Sequence, residues 1–380
     1  MMALLIPVGS VGIPDIRHVV VVMEENRAFD HVFGHSATPN WPINGLTGKE
    51  FNLVDTTDPA SRRVYVSQNA TFLNPCDPNH GTPATTQKIY PKSNRSAPTM
   101  GGFVEWEAKH GCKAKEFAGV MEGFGPADLP VINELAREYA IFDHFFCSHP
   151  GPTWPNRMYM LSGTSAGSTE TSPWYRNVEG QLFPQRTIFH QLAEQKRTWK
   201  NYYNDTPWEM FMEAIAHNPQ HTRPLTEFFH DASAGTLPSF SWINPSSGIN
   251  TTTGVGSSDQ HPDHDMRAGE QLIKALYEAV RAGPGWNHTL FVVTYDEHGG
   301  FFDHVPPPEG VPPPGDHQAS YPDRFFRFDR LGVRIPTIVA SPWIPRGRIE
   351  SEPPKAQRPR SDSQYELTSI IATARKLLRM

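Results

Sequence analysis

Residues 290–304 read Leu-Phe-Val-Val-Thr-Tyr-Asp-Glu-His-Gly-Gly-Phe-Phe-Asp-His, an apolar run that delivers Asp296, Glu297, His298, Asp303 and His304 to one strand end. Adjacent acids at a strand end are ordinarily just solvated. These two stand between an apolar run and Gly299-Gly300, where a tight turn lets backbone or ligand approach closely. The pattern recurs near the N-terminus, where the apolar run His18 to Met23 leads into Glu24, Glu25, Asn26 and Arg27. Carboxylates with an Asn carbonyl are hard oxygen donors suited to calcium, magnesium or manganese, whereas the nearby imidazoles would favour zinc or iron. Two strand ends that meet would hold one cation.

A hydroxyl stands ready to use such a cation. In Pro150-Gly-Pro-Thr-Trp-Pro-Asn-Arg157, Thr153 precedes Pro155 at the start of a helical pattern. Proline favours a first helical turn, so Thr153 falls at the positive helix end, where anions bind. A threonine hydroxyl is too weak an acid to attack unaided, and a divalent cation can activate it. Ser148, Ser162, Thr164 and Ser165 are rival hydroxyls that spacing alone does not exclude. The segment Asp259-Gln-His-Pro-Asp-His-Asp265 adds His261 and His264, able to contact a phosphoryl oxygen or protonate a leaving group, with Asp265 placed to cap a helix. His80, in Asp77-Pro-Asn-His-Gly81, is ambiguous in the same way among 17 histidines.

Several elements must position these groups. His18 to Met23, Tyr139 to Phe142, Leu290 to Tyr295 and Val333 to Ala340 read as buried strands. Asp265 to Ala282 reads as an amphipathic helix with Leu272, Ile273, Leu276 and Val280 on one face, ended by Gly283 and Pro284. A second helix, marked by Leu367, Ile370, Ile371, Ala374, Leu377 and Leu378, closes the chain. This alternation predicts an α/β fold, a three-layer αβα, mostly parallel sheet, with ligands gathered outside the carboxyl ends of the strands. Residues 35–100 and 165–260 show weak periodicity and many Asn, Pro, Ser, Thr, Gly and aromatic residues, as expected of cap-like insertions over the strand ends of one domain spanning 1–380.

Composition removes several classes of function. At 380 residues the chain is long enough for a large core. A formal charge of −6, a pI near 6.3 and no polybasic run offer nothing to a nucleic-acid backbone. No stretch approaches the ~20 apolar residues that span a bilayer, and the start lacks a secretory pattern, so the expectation is a cytoplasmic or peripheral membrane protein. Cys76, Cys112 and Cys147 are odd in number with no close pair, and are expected to be buried or free thiols. The sequons at Asn69, Asn94, Asn250 and Asn287 would matter only after secretion. Trp174-Tyr175, Trp208 with Phe211 and Met212, and Phe228-Phe229 are candidates for an acyl-chain groove, against the plainer reading of core packing.

Five segments together carry a resemblance that spans nearly the whole chain. They are Glu25-Asn-Arg-Ala-Phe-Asp30-His-Val-Phe-Gly34, Pro152-Thr-Trp-Pro-Asn-Arg157, His261-Pro-Asp-His-Asp265, Thr294 to Pro306, and Asp329 to Trp343. The chain resembles the phosphoesterase family that contains plant and bacterial non-specific phospholipases C and related acid phosphatases. Ser363 to Thr373 looks most like the plant branch. The resemblance implies an alkaline-phosphatase-like core and one divalent metal ion, with calcium, magnesium, manganese and zinc all left open. It implies Glu25, Asn26, Asp296 and Glu297 as metal ligands and Thr153 as nucleophile. His261, His298 and His304 follow as catalytic groups, and His80, Asn156 and Arg157 as contacts to the substrate phosphate. The implied reaction is hydrolysis of a glycerophospholipid to diacylglycerol and a phosphorylated head group through a phosphothreonine. A soluble phosphomonoesterase with the same site and a silent phosphate- or lipid-binding protein are the alternatives. The implied partner is a phospholipid, with peripheral membrane contact. Two departures stand out: Gln260 replaces the acid many relatives carry before His-Pro, and the chain stops at Met380 where many relatives extend further.

Overall fold

The computed structural model describes residues 15–91, 97–111, 117–171, 180–248 and 256–380. Among them run the strands β1 (His18–Glu24), β2 (Phe51–Leu53), β3 (Arg63–Tyr65), β4 (Ala140–Phe142), β5 (Phe145–Phe146), β6 (Trp199–Tyr203), β7 (Thr222–Pro224), β8 (Phe240–Asn244), β9 (Thr289–Tyr295), β10 (Thr337–Ala340), β11 (Arg348–Glu350) and β12 (Tyr365–Glu366). Eight of them form one sheet in the order β11-β4-β10-β9-β1-β8-β6-β7. The sheet is mostly parallel; β10 alone runs antiparallel to its neighbours β4 and β9.

β1 and β9 lie in the middle because they are the most continuously apolar stretches of the chain. Val19 to Met23 and Leu290 to Val293 are all buried, and a strand covered on both faces needs such a run. The helix Met266–Ala282 packs its Met266, Ile273, Leu276 and Val280 face inward and leads through a short turn into β9. Asp265 caps it, its Oδ1 accepting from the Arg267 amide at 3.0 Å. Gly283 ends the helix in extended rather than left-handed backbone; a Cβ there would stand 2.4 Å from the Ala232 carbonyl oxygen, so close packing demands the glycine.

Two readings of the sequence are corrected. Residues 165–260 are not simply an insertion, since they supply β6, β7 and β8 of the main sheet. β6 and β8 escape a search for apolar runs because buried polar residues, Asn201, Ser241 and Asn244, interrupt them, and β7 is a three-residue strand with no buried residue. The strand expected at Val333 to Ala340 forms only from Thr337. Pro336 has no N–H to give a ladder, and the Arg334 side chain is drawn into an ionic cluster with Asp30 and Asp303. The aromatic candidates for a lipid groove mostly pack inward: Phe211, Met212 and Phe228 are core, and Trp208 sits 5.3 Å from Trp154. Trp174 and Tyr175 lie outside the described residues, as do Asn94 and Asn250.

Candidate active site

β1 and β9 are in parallel register with Glu24 opposite Tyr295, so the chain delivers Glu25 and Asp296 side by side. Just past β1, Asn26 turns into left-handed backbone at φ 62°. Its amide donates to Asp296 Oδ1 at 3.0 Å, and the Glu297 amide donates to the same oxygen at 2.7 Å. The Gly299 amide donates to Glu297 Oε2 at 2.7 Å. A Cβ on Gly299 would lie 2.0 Å from the Asn26 carbonyl oxygen, so the glycine pair allows the backbone approach its spacing predicts.

Thr153 opens the helix Thr153–Ser162 directly after Pro152. Its Oγ1 stands 3.2 Å from Glu25 Oε1, donating to it. The two residues that follow the Pro155 turn look inward. Asn156 accepts the His149 amide at 2.8 Å and donates to the carbonyls of His149, Gly151 and Pro152. That commits its amide to shaping the turn before Thr153, which corrects the expectation of a phosphate contact. Arg157, 2 % exposed, lies beneath the acids: 3.3 Å from Asp296, 3.6 Å from Glu25 and 3.9 Å from Glu209. It too is a buried counter-charge, not a group open to the cavity.

A cavity of about 840 Å³ lies over this floor, lined by Glu25, Thr153, His80, His261, Asp77 and Glu170 among others. His80 donates Nδ1–H to the Pro78 carbonyl at 2.7 Å, which makes Nε2 the acceptor; it takes a long hydrogen bond from Asn26 Nδ2 at 3.4 Å. His261 Nδ1 is 2.5 Å from Asp263 Oδ1. His298 is fully buried beside Glu297 at 3.2 Å and edge-on to Phe103. His304 is elsewhere. Its Nδ1 pairs with Asp30 at 2.7 Å and its Nε2 meets Asn44 at 3.1 Å, in the cluster where Arg334 joins Asp30 and Asp303.

Electrostatics divides these groups. Burial pushes Glu25 up to about 7, with Asp296 adding to the shift and Arg157 opposing it. Burial also raises Glu297 well above the usual carboxylate range, and Asp296 adds to it. Burial would lower His261, yet Glu25, Asp77 and Asp263 together hold it above the ordinary imidazole value. His80 is lowered by burial despite Asp77. Burial takes His298 far lower, with Lys88 adding. One imidazole at the cavity is thus biased toward the cation and the other toward the neutral base.

The donor set fits a hard divalent cation. Asn26 Oδ1 and Glu297 Oε1 are buried side-chain oxygens without a hydrogen-bond partner, beside the Glu25 and Asp296 carboxylates. The three acids are not drawn as close as 4.8 Å to one another; two other groups are, His261-Asp263-His264 and Asp30-Asp303-His304. The second already holds the Arg334 guanidinium, at 2.9 and 2.8 Å from its carboxylates.

Several residues here give little sign of themselves in the sequence. Glu209 is fully buried, accepts from Asn244 at 2.8 Å and faces Arg157; it stands among Trp208, Met210, Phe211 and Met212, an apolar stretch that signals burial but not a charged partner. Glu170 lines the cavity and accepts the Thr82 amide at 3.1 Å. Gln260, at φ 64°, accepts the Tyr295 hydroxyl, and its backbone oxygen accepts Arg27 Nε at 2.7 Å. It therefore braces the strand end. The expectation of three unpaired thiols is also corrected: Cys76, on the cavity wall, is disulfide-bonded, whereas Cys147 is free and buried. Cys112 lies outside the described residues.

A model of the phosphoesterase family matches residues 16–379. Non-specific phospholipase C6 of Arabidopsis thaliana is 40% identical over 376 residues, covering 96% of this chain and 68% of that protein. Non-specific phospholipase C1 of the same plant is 40% identical over 375 residues, covering 96% and 67%. Among solved structures, a protein in the alkaline phosphatase superfamily from Vibrio parahaemolyticus aligns with 59% of this chain and 56% of its own at 12% identity, with a TM-score of 0.35.

Proposed function

Because the chain belongs to the phosphoesterase family, we propose that it is a hydrolase of phospholipase C type, cleaving glycerophospholipids to diacylglycerol and a phosphorylated head group. The relatives that support this are named phospholipases C and match along most of their length. The observation that carries the mechanism is the Thr153 hydroxyl, held 3.2 Å from Glu25 at a helix N-terminus on the cavity wall.

Glu25, Asn26, Asp296 and Glu297 would hold one divalent cation, which when bound supplies Lewis-acid stabilisation of developing negative charge. Thr153 Oγ, directed by its hydrogen bond to Glu25 Oε1 at 3.2 Å, attacks phosphorus in line and gives up its proton to solvent. The helix N-terminus stabilises the anionic phosphoryl oxygens. His261, biased toward its protonated form, gives a proton to the departing diacylglycerol oxygen. His80, biased toward its neutral form and with its unprotonated Nε2 held only by the long contact to Asn26 Nδ2 at 3.4 Å, then takes a proton from the water that hydrolyses the phosphothreonine. Arg157 orients Glu25 and Asp296 from below.

The test is purified protein with phosphatidylcholine and with p-nitrophenyl phosphate, each with and without chelator, scoring diacylglycerol and free phosphate separately. Chelator-sensitive diacylglycerol release is expected. Release of phosphate from the monoester with no diacylglycerol from the lipid would replace this reading by that of a phosphomonoesterase.

A further inference from the structure

Phe325 is 89% exposed, the most exposed large apolar side chain among the described residues, in a loop that is otherwise firmly held. Its neighbour Phe326 is buried, edge-on to His149 at 4.7 Å and to Phe328 at 4.9 Å, with Arg330 over its ring at 5.0 Å. The Phe325 amide donates to Asp323 Oδ1 at 3.0 Å. Phe325 is therefore held out by a fixed base, and its ring has burial to gain at an apolar surface. Arg324 and Arg327 flank it, both exposed and neither ion-paired among the described residues.

The loop is tied to the segment that forms part of the active-site cavity wall. Thr169 N donates to the Tyr321 carbonyl at 2.9 Å, and Asp323 N donates to Thr169 Oγ1 at 3.3 Å. Glu170, next in the chain, lines the cavity, so chain geometry puts the Phe325 backbone within about 20 Å of it. A second exposed apolar side chain, Leu73 at 50%, is two residues from the lining residue Pro75. The overall charge of −6 repels anionic surfaces, which makes the two arginines at this point a local exception.

We infer that Phe325, with Leu73, is an interfacial anchor that seats the cavity mouth on a phospholipid surface while Arg324 and Arg327 pair with lipid phosphates. The inference rests on the lipid-hydrolysing reading of the cavity. A ring that enters the acyl boundary gains the burial it lacks in water, and guanidinium groups suit the phosphate layer just above.

Binding is measured by sedimentation with vesicles of phosphatidylcholine containing phosphatidylserine, in the Thr153→Ala background so that the vesicles stay intact. Phe325→Ala should lower partitioning by about tenfold or more, Phe325→Trp should retain it, and Leu73→Ala should lower it further. Arg324→Glu with Arg327→Glu should weaken binding most at low salt. With Thr153 restored, Phe325→Ala should release less diacylglycerol from vesicles yet hydrolyse dissolved dihexanoylphosphatidylcholine at the wild-type rate. Vesicle binding that is absent in the parent or unchanged by Phe325→Ala overturns the anchor. Failure of the parent to hydrolyse the dissolved lipid overturns the lipid-hydrolysing reading instead, and the partitioning result still decides the anchor.

Discussion

Replacing Arg157 by Met should separate what holds the active site together from what reacts in it. The guanidinium is 2 % exposed and faces Asp296, Glu25 and Glu209 at 3.3, 3.6 and 3.9 Å. Each contact is worth about 4–5 kcal/mol of Coulomb energy at an effective dielectric of ~20, before desolvation is subtracted. Methionine fills similar space and leaves the acids buried without a counter-charge, a change that typically costs about 3–5 kcal/mol net. For a chain of this length that is a fall of about 5 °C in the unfolding midpoint. Thermal unfolding of cation-free protein at about pH 5.5 and about pH 8 measures it. The loss should be smaller at the lower pH, because Glu25, already pushed up to about 7, can escape the penalty by taking a proton. Added divalent cation should recover part of the stability at the higher pH. An unchanged midpoint at both pH values would refute the assignment of Arg157 as the counter-charge of the floor.

The other expectations concern chemistry and its dependence on ionisation. Thr153→Ala should lower diacylglycerol release by about 10⁴-fold or more while leaving the circular dichroism spectrum intact, and Thr153→Ser should recover part of it; a fully active Ala variant sinks the nucleophile assignment. In chelator-treated protein, Glu25 has a folded-state affinity for protons above its unfolded one, so its contribution to stability is present at low pH and declines as pH rises from about 4.5 through about 7. The decline is roughly 3 kcal/mol, read from unfolding midpoints, and bound cation should flatten it. His80→Ala and His261→Ala should each cost about 10²–10³-fold in turnover, whereas His304→Gln should lower the unfolding midpoint and leave turnover within a few-fold, because His304 belongs to the Asp30-Arg334-Asp303 cluster. Equal losses from all three would return His304 to the chemistry.

The strand ends that carry Glu25, Asn26, Asp296 and Glu297 were legible in the sequence because a strand buried on both faces must be a continuous apolar run, and such a run ends visibly where acids begin. Thr153 could be read at a helix start because proline marks the first turn locally. β6 and β8 were hidden, since their buried Asn201 and Asn244 are partnered across the sheet, Asn244 Nδ2 donating to Asn201 Oδ1, rather than by anything nearby in the chain. Only tertiary structure could decide among the polar residues. Asn156 and Arg157 share a motif with Thr153 yet turn inward, His304 shares one with Asp296 yet joins a different cluster, and Glu209 reaches Arg157 from a separate apolar stretch. The physical reason is range: burial and helical or strand periodicity are properties of neighbours in sequence, whereas the partner of a buried charge is whatever the folded chain brings within about 4 Å.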